Sequence, residues 1–398
     1  MTTLKLGVIG LGARGLPLIK DILLPNKKVT VTAVCDIYQD RTDAAAKLVE
    51  ETTGERPFTS CNYQDIIAHA NVDVVMIFSA WESHIPIAID AMQAHKPVGM
   101  EVGGAYSIAQ CWDLVHAYEQ THTSIMLMEN CCYGRKELFA LHMAERGVLG
   151  GIVHCAGGYH HDLREEVAFG KENRHYRLHN YLNRNCENYP THELGPIAKI
   201  LHINRGNRML SLTSTASKSA GLHDYIADKK SDDAELMQAS FCQGDIVTTV
   251  IRCAGGQTIT LTLDTTLPRY YSRGLTVRGT KGLYEEVTNS VFLDKQHNQF
   301  DADWTPQWDN AKKYMEEYEH PIWKKYLEEG VQGTHDGMDW LVYNDFFDCI
   351  LENRPCPIDV YDAASWMCIT ALSEQSIATG NMPVAIPDFT NGMWTTRK

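Results

Sequence analysis

Positive charge is what this chain lacks. Its 36 Lys and Arg face 50 Asp and Glu, a formal net charge of −14. Nucleic acids and anionic membrane surfaces are both met through a basic footprint, so neither is expected as a partner. No apolar run reaches the roughly 18 residues of a membrane span, and the opening MTTLKLGVIG goes straight into strand-like residues. That opening has no basic region, no long apolar core and no small-residue cleavage site, so no secretion signal is read there. C-x-x-C is also missing. Twelve cysteines are present, scattered singly apart from Cys131-Cys132, so reduced thiols in a cytoplasmic protein are expected rather than a disulfide framework. Internal repeats and low-complexity segments are absent as well.

What is present is an alternation. At 398 residues the chain has room for about two domains. In the first 128 residues, strand-like runs at Leu4–Ile9, Val29–Cys35, Val72–Phe78, Pro97–Met100 and Ser124–Met128 alternate with helical stretches at Ala13–Leu24, Arg41–Glu51, Ile85–Ala94 and Ser107–Gln120. This pattern predicts an α/β domain, a doubly wound parallel sheet with helices on both faces. Residues 129–398 read differently. After a helix at Lys136–Arg146 and a strand at Ile152–Tyr159 comes a polar stretch, His160–Asn188. Strands then follow one another at Met209–Ser214, Ala239–Phe241, Ile246–Arg252, Thr258–Leu263 and Gly274–Val277. Helices at Met338–Leu351 and Val360–Ala378 come last. Successive strands predict an α+β domain with a large open mixed or antiparallel sheet. The polar, poorly periodic Leu293–Pro306 is expected to be the least ordered part.

Gly10-Leu11-Gly12-Ala13-Arg14-Gly15 is a G-x-G-x-x-G that follows a strand and opens a helix. In that context Gly10 permits the tight turn, Gly12 lets a pyrophosphate approach the backbone, and Gly15 lets helix and strand pack. Free N–H groups at Gly12, Ala13 and Arg14 can hold the phosphates. Asp36 ends the second strand, where a carboxylate accepts from ribose hydroxyls and repels a 2′-phosphate, so NAD is favoured over NADP, with Arg41 close enough to temper the choice. Loops at the carboxyl ends of parallel strands line the cofactor crevice. That gives Trp81, His84 and Glu101 a positional claim on the cofactor. His84 can equally well cap the next helix.

At these residues the sequence resembles the glucose–fructose oxidoreductase/inositol dehydrogenase (Gfo/Idh/MocA) family. The likeness rests on the N-terminal GVIGLGARG, Asp36, Trp81-Glu82-Ser83-His84 and Lys96-Pro97-Val98-Gly99-Met100-Glu101. Many members have Glu-Lys-Pro at the last place, with a lysine that assists oxidation. This chain has Glu101-Val102-Gly103. The NAD-dependent glycosidases of family 109, typified by α-N-acetylgalactosaminidases, also lack that lysine. The similarity to them runs on through Met128-Glu129-Asn130, Tyr133-Gly134-Arg135, the 154–164 segment HCAGGYHHDLR, His179-Asn180, Tyr189-Pro190-Thr191-His192 and Pro268-Arg269-Tyr270-Tyr271-Ser272-Arg273 to Gly337-Met338-Asp339. Two departures stand beside the expected substrate site: Glu193 where the branch usually has Gly, and Cys186-Glu187-Asn188 where it usually has Gly-Asn-Leu.

The resemblance implies bound NAD with Asn130 among its contacts, a small carbohydrate substrate, a homo-oligomer, and glycosidic cleavage by transient oxidation. C3 is oxidised, the acidified C2 proton leaves, the C1 substituent is eliminated, water adds and the ketone is reduced again. It assigns His192 and Tyr189 to the reacting hydroxyl and C2. Tyr159 and His161 share one side of a strand end and are candidates for the leaving-group side. Arg164, His179, Asn180 and Arg273 are assigned to the sugar. A metal is not expected: His160, His161, Asp162, His175, His179 and His192 match no closed ligand spacing. Two other readings remain. One is a net NAD-dependent dehydrogenase of a sugar, glycoside or cyclitol. The other is a non-catalytic sugar or NAD sensor, which the wealth of His, Tyr and Arg disfavours.

Overall fold

The computed structural model describes residues 3–397. The chain packs as two compact units, Met1–Tyr133 with Gly330–Ala364, and Gly134–Glu329 with Ser365–Lys398. This differs in one respect from a single cut after residue 128: a segment near the C-terminus returns to the first unit. Side-chain packing explains the return. Helix Met338–Leu351 buries Tyr343, Phe346 and Phe347 completely. The Tyr343 and Phe78 rings lie 6.1 Å apart, and Phe346 comes so near Gly99 that a Cβ there would stand 3.1 Å from its ring.

The first unit holds six parallel strands, β1 (Leu4–Ile9), β2 (Val29–Cys35), β3 (Phe58–Ser60), β4 (Val74–Ile77), β5 (Val98–Met100) and β6 (Ile125–Leu127), in the order β3-β2-β1-β4-β5-β6. Strand order reverses beside β1, so the crevice for a ligand opens at the carboxyl ends of β1 and β4. The central strands are apolar on both faces, with Leu6, Val8, Val34, Val75 and Met76 all buried. The helix expected over Ala13–Leu24 is shorter and changes type. An α-turn at Gly15–Leu18 runs into a wider turn at Ile19–Leu23, where the Leu24 N–H reaches the Ile19 carbonyl at 2.9 Å.

The second unit is built on β7 (Ile152–His160), β8 (Met209–Ala216), β9 (Ile246–Cys253), β10 (Thr258–Asp264), β11 (Thr276–Gly279), β12 (Gly282–Glu285), β13 (Ser290–Leu293) and β14 (Val384–Ala385). Their order is β13-β12-β11-β7-β10-β9-β8-β14. β7 and β10 run parallel and the other neighbours antiparallel, so the sheet is mixed. β10 shows the alternation that makes one face core: Ile259, Leu261 and Leu263 are buried between outward Thr258, Thr260 and Thr262. The strand expected at Ala239–Phe241 does not form. Ala239 instead closes the short helix Ala234–Gln238, because so short a run as Ala239-Ser240-Phe241, with no neighbouring strand, has nothing to pair with. The polar stretch after β7 folds into helices Arg164–Ala168 and Arg177–Asn183. Around 293–306, the rings of His297 and Trp304 cluster with that of Phe292 on β13, centroids 5.3–5.4 Å apart, and pack the irregular backbone. No helix among the described residues is long and apolar enough to cross a membrane.

Candidate active site

The glycine loop leaves β1 through Gly10, whose φ of +95° is left-handed and whose Cβ would meet the Phe78 and Ser79 backbone at 2.4 Å. A Cβ on Gly15 would stand 2.0 Å from the Gly10 oxygen. At Gly12 the nearest atom to such a Cβ is the tip of Arg41, 3.3 Å away, and Ala13 beside it is exposed. The loop therefore offers bare main chain where a pyrophosphate would rest. Asp36 is buried at the end of β2. Its Oδ2 accepts from the Leu11 N–H at 2.7 Å and its Oδ1 from the Tyr38 N–H at 3.0 Å. Arg41 lies over the Tyr38 ring, 3.9 Å from that carboxylate. This combination of a fixed carboxylate and an open glycine turn fits a dinucleotide.

Trp81 opens helix Trp81–Gln93 and packs on Gly103, where a Cβ would meet its ring at 2.5 Å. His84 is buried and its Nε2 sits 2.8 Å from the Ser79 carbonyl. Burial pushes its pKa down to about 4, so the ring is neutral. The bond runs to a carbonyl that precedes the helix and satisfies none of its first N–H groups, so His84 does not cap it.

Arg14, Glu101 and Asn130 share a network that the sequence did not reveal. The Arg14 guanidinium donates to Glu101 at 3.2 Å and to both oxygens of Asp339 at 2.7 and 2.9 Å. Asn130 Nδ2 donates to Asp339 at 2.8 Å, and Tyr343 Oη donates to Glu101 at 3.1 Å. Asp339 is one residue of the quoted Gly-Met-Asp segment, but nothing in its spacing tied it to residue 14.

In the second unit the four expected catalytic side chains converge. Tyr159 lies at the end of β7, and His192 on the first turn of helix Thr191–Ile200, with Tyr189 just before it. Ring centroids are 4.4 Å apart for Tyr159–Tyr189, 4.7 Å for Tyr189–His192 and 5.5 Å for Tyr159–His192. The Tyr159 hydroxyl and His161 Nδ1 are 3.0 Å apart. Burial raises the Tyr159 pKa, with Arg177 opposing, and burial followed by the Arg177 charge lowers that of His161. The pair is thus a neutral phenol beside a neutral imidazole. Arg177, not foreseen from the sequence, sits 5.1 Å above the Tyr189 ring and 5.9 Å from that of Tyr159. Glu166 holds it at 2.7 Å.

The expected sugar-binding residues separate. Arg273 joins the cluster: it donates to Glu137 at 2.6 Å and to the Tyr271 hydroxyl at 3.2 Å, and the Tyr271 ring lies 5.1 Å from that of His161. Asn180 is buried three residues along the helix from Arg177, bonded to the Tyr176 carbonyl at 3.2 Å. His179 takes the exposed side of that helix, beside Asn183. Arg164 is held by Asp162 through bonds of 2.7 and 2.9 Å. The histidine-rich run is spread over several faces. His160 packs on Gly274, opposite in direction to His161 as adjacent strand residues must be, and His175 lies 3.7 Å from Glu166.

A Rossmann sheet with its glycine loop, joined in sequence to an α+β unit bearing a Tyr–His cluster, defines the class: an enzyme of the NAD-dependent oxidoreductase type. Residues 4–128 match the model for the oxidoreductase family, NAD-binding Rossmann fold, and residues 133–396 that for the glycosyl hydrolase 109 C-terminal domain. The chain belongs to glycosyl hydrolase family 109, within the Gfo/Idh/MocA oxidoreductases. It is 37% identical to an α-N-acetylgalactosaminidase of Tannerella forsythia, over 99% of this chain and 88% of that one. It is 38% identical to a family 109 protein of Stenotrophomonas maltophilia, over 99% and 90%. Its fold is that of levoglucosan dehydrogenase in complex with NADH (TM-score 0.69, 18% identity, 97% and 100% covered). A second solved relative in fold is scyllo-inositol dehydrogenase from Lactobacillus casei (TM-score 0.67, 14% identity, 97% and 98% covered).

Proposed function

We propose that this chain is an NAD-dependent glycosidase that cleaves its substrate by transient oxidation at C3, elimination across C1–C2, water addition and re-reduction. The observation that supports it best is the packing of Tyr159, Tyr189, His192 and His161 into one cluster beside Arg177. Elimination needs several proton-transfer groups close together, and simple alcohol oxidation needs only one. Bound NAD supplies a reversible two-electron sink. Asp36 at the strand end favours NAD over NADP. Family membership and the α-N-acetylgalactosaminidase relative support a glycoside substrate.

The residues then divide the work. His192 takes the 3-hydroxyl proton, since imidazole is best matched to transfer near neutrality. Tyr189, under the Arg177 guanidinium, serves C2, where its hydroxyl oxygen takes the proton. Tyr159 stays protonated and is replenished through His161, which suits it to protonate the departing C1 oxygen. Arg273 binds the substrate on the Tyr271 side. Val102, where many relatives have lysine, removes the group that would assist simple oxidation.

The test is stoichiometry. With purified protein and a panel of aryl glycosides, cleavage should need NAD⁺ only in catalytic amount, with no build-up of NADH. Product formed in D₂O should carry deuterium at C2. NADH rising in step with product would establish the net dehydrogenase instead.

A further inference from the structure

Asp339 is wholly buried in the first unit. Its Oδ2 accepts from Arg14 Nη1 at 2.9 Å and from Thr334 Oγ1 at 2.6 Å, and it pairs with His335 Nδ1 at 2.7 Å. Its Oδ1 accepts from Arg14 Nη2 at 2.7 Å and Asn130 Nδ2 at 2.8 Å. A buried carboxylate is stable only when its lone pairs are met in this way, and these donors hold its pKa well below the usual carboxylate range against the pull of burial. The backbone leading to it is unusual too. His335, Asp336 and Gly337 have φ of 50°, 53° and 90°, three left-handed residues in succession. Non-glycine residues stay in that region only where their surroundings over-determine them.

The donors are the informative part. Arg14 lies inside the glycine loop, between Gly12 and Gly15. Asn130 follows β6. Glu101, at the end of β5, meets the same guanidinium at 3.1 Å. One carboxylate thus ties together, directly or through Arg14, side chains from the carboxyl ends of three parallel strands, the edge on which a dinucleotide is bound.

We infer that Asp339 is a positioning residue for the cofactor. It ties the Arg14 side chain to itself and to Glu101, and so fixes the shape of the loop main chain that faces the pyrophosphate. It also sets the orientation of Asn130. The returning segment 330–364 therefore belongs to the cofactor site as well as to the core. The inference rests on the reading of the glycine loop as the dinucleotide seat.

NAD⁺ titration by calorimetry on the full chain tests it, using Asp339→Asn, Arg14→Met and the double variant. If Asp339 acts through Arg14, each single variant weakens NAD⁺ binding roughly tenfold and the double is about as weak as either, the non-additivity of a shared interaction. A merely structural Asp339 would lower the unfolding temperature and leave Kd alone, or its effect would multiply with that of Arg14→Met. Either result overturns the inference, as does tighter binding in either single variant. Should Asp339→Asn fail to fold, Arg14→Met decides alone: an unchanged Kd overturns the inference and a roughly tenfold loss supports it. Failure of the unaltered protein to bind NAD⁺ would instead overturn the reading of the loop.

Discussion

Glu187 is fully buried, and neither of its carboxylate oxygens makes a hydrogen bond among the described residues. It sits two residues before Tyr189, and its own N–H is anchored on Ser373 Oγ at 2.8 Å. Burial pushes its pKa from the ordinary 4.5 up to about 8, and the nearby Tyr189 amide offsets only part of this. At neutral pH the folded chain therefore keeps a proton that the unfolded chain has lost. Below the unfolded value both states are protonated and the group is neutral in its effect. Between the two values stability falls as pH rises, because the unfolded state binds fewer protons. Each pH unit in that window is worth ~1.4 kcal/mol. Over two and a half units the loss is about 3 kcal/mol. Glu187→Gln keeps the shape and cannot ionise. Urea unfolding of both proteins at pH 5 and pH 7.5 should show the variant gaining about 3 kcal/mol on the parent between the two conditions. Any fixed effect of the amide cancels in that difference. An equal gap at both pH values would refute the reasoning, since Glu187 would then ionise as it does in water.

Other outcomes follow from the site. His192→Ala should lower turnover by roughly 10²–10⁴-fold with NAD⁺ affinity kept; calorimetry beside an aryl-glycoside assay reads both. Arg177→Met removes a charge that depresses the His161 pKa, so His161 rises toward its ordinary value and the acid limb of the pH–rate profile moves to higher pH; an unmoved limb would disconnect His161 from turnover. Gly12→Val meets only the tip of Arg41, so the unfolding midpoint should stay close to that of the parent while NAD⁺ binding falls by roughly a hundredfold or more, its backbone approach blocked. Gly10→Ala, strained at φ +95° and 2.4 Å from backbone, should lose stability outright, by roughly 1–3 kcal/mol or more from the left-handed conformation alone.

Much of the fold could be read because its signals are local. β1 and β2, and the helices Met338–Leu351 and Val360–Ala378, lie where composition puts them. Each is long enough, or apolar enough, to declare itself. β3 and β14 were not legible, being three and two residues long at sheet edges, where pairing with a neighbour rather than composition makes the strand. β12 and β13 escaped for the same reason: Gly282–Glu285 and Ser290–Leu293 become strands by pairing with each other and with β11.

The candidate site divides along the same line. Gly10 to Gly15 and Asp36 were readable because loop, strand and helix follow one another in the chain. Tyr189 and His192 were readable because one short segment carries both. Arg177 was hidden in a polar, aperiodic stretch, where only the folded position of helix Arg177–Asn183 lifts it over Tyr189. The same helix shows why residue type alone misleads. His179, two residues on, has the more reactive-looking side chain, yet a helix advances about 100° per residue, so it emerges on the exposed side, and Asn180 and Tyr181 share the buried face with Arg177. Asp339 lies 325 residues from its Arg14 partner, and no periodicity reports on such a distance. Motifs reveal groups that meet a ligand through neighbouring backbone. They do not reveal groups that act by holding another side chain still, because such a partner is chosen by the fold and can come from anywhere in the sequence.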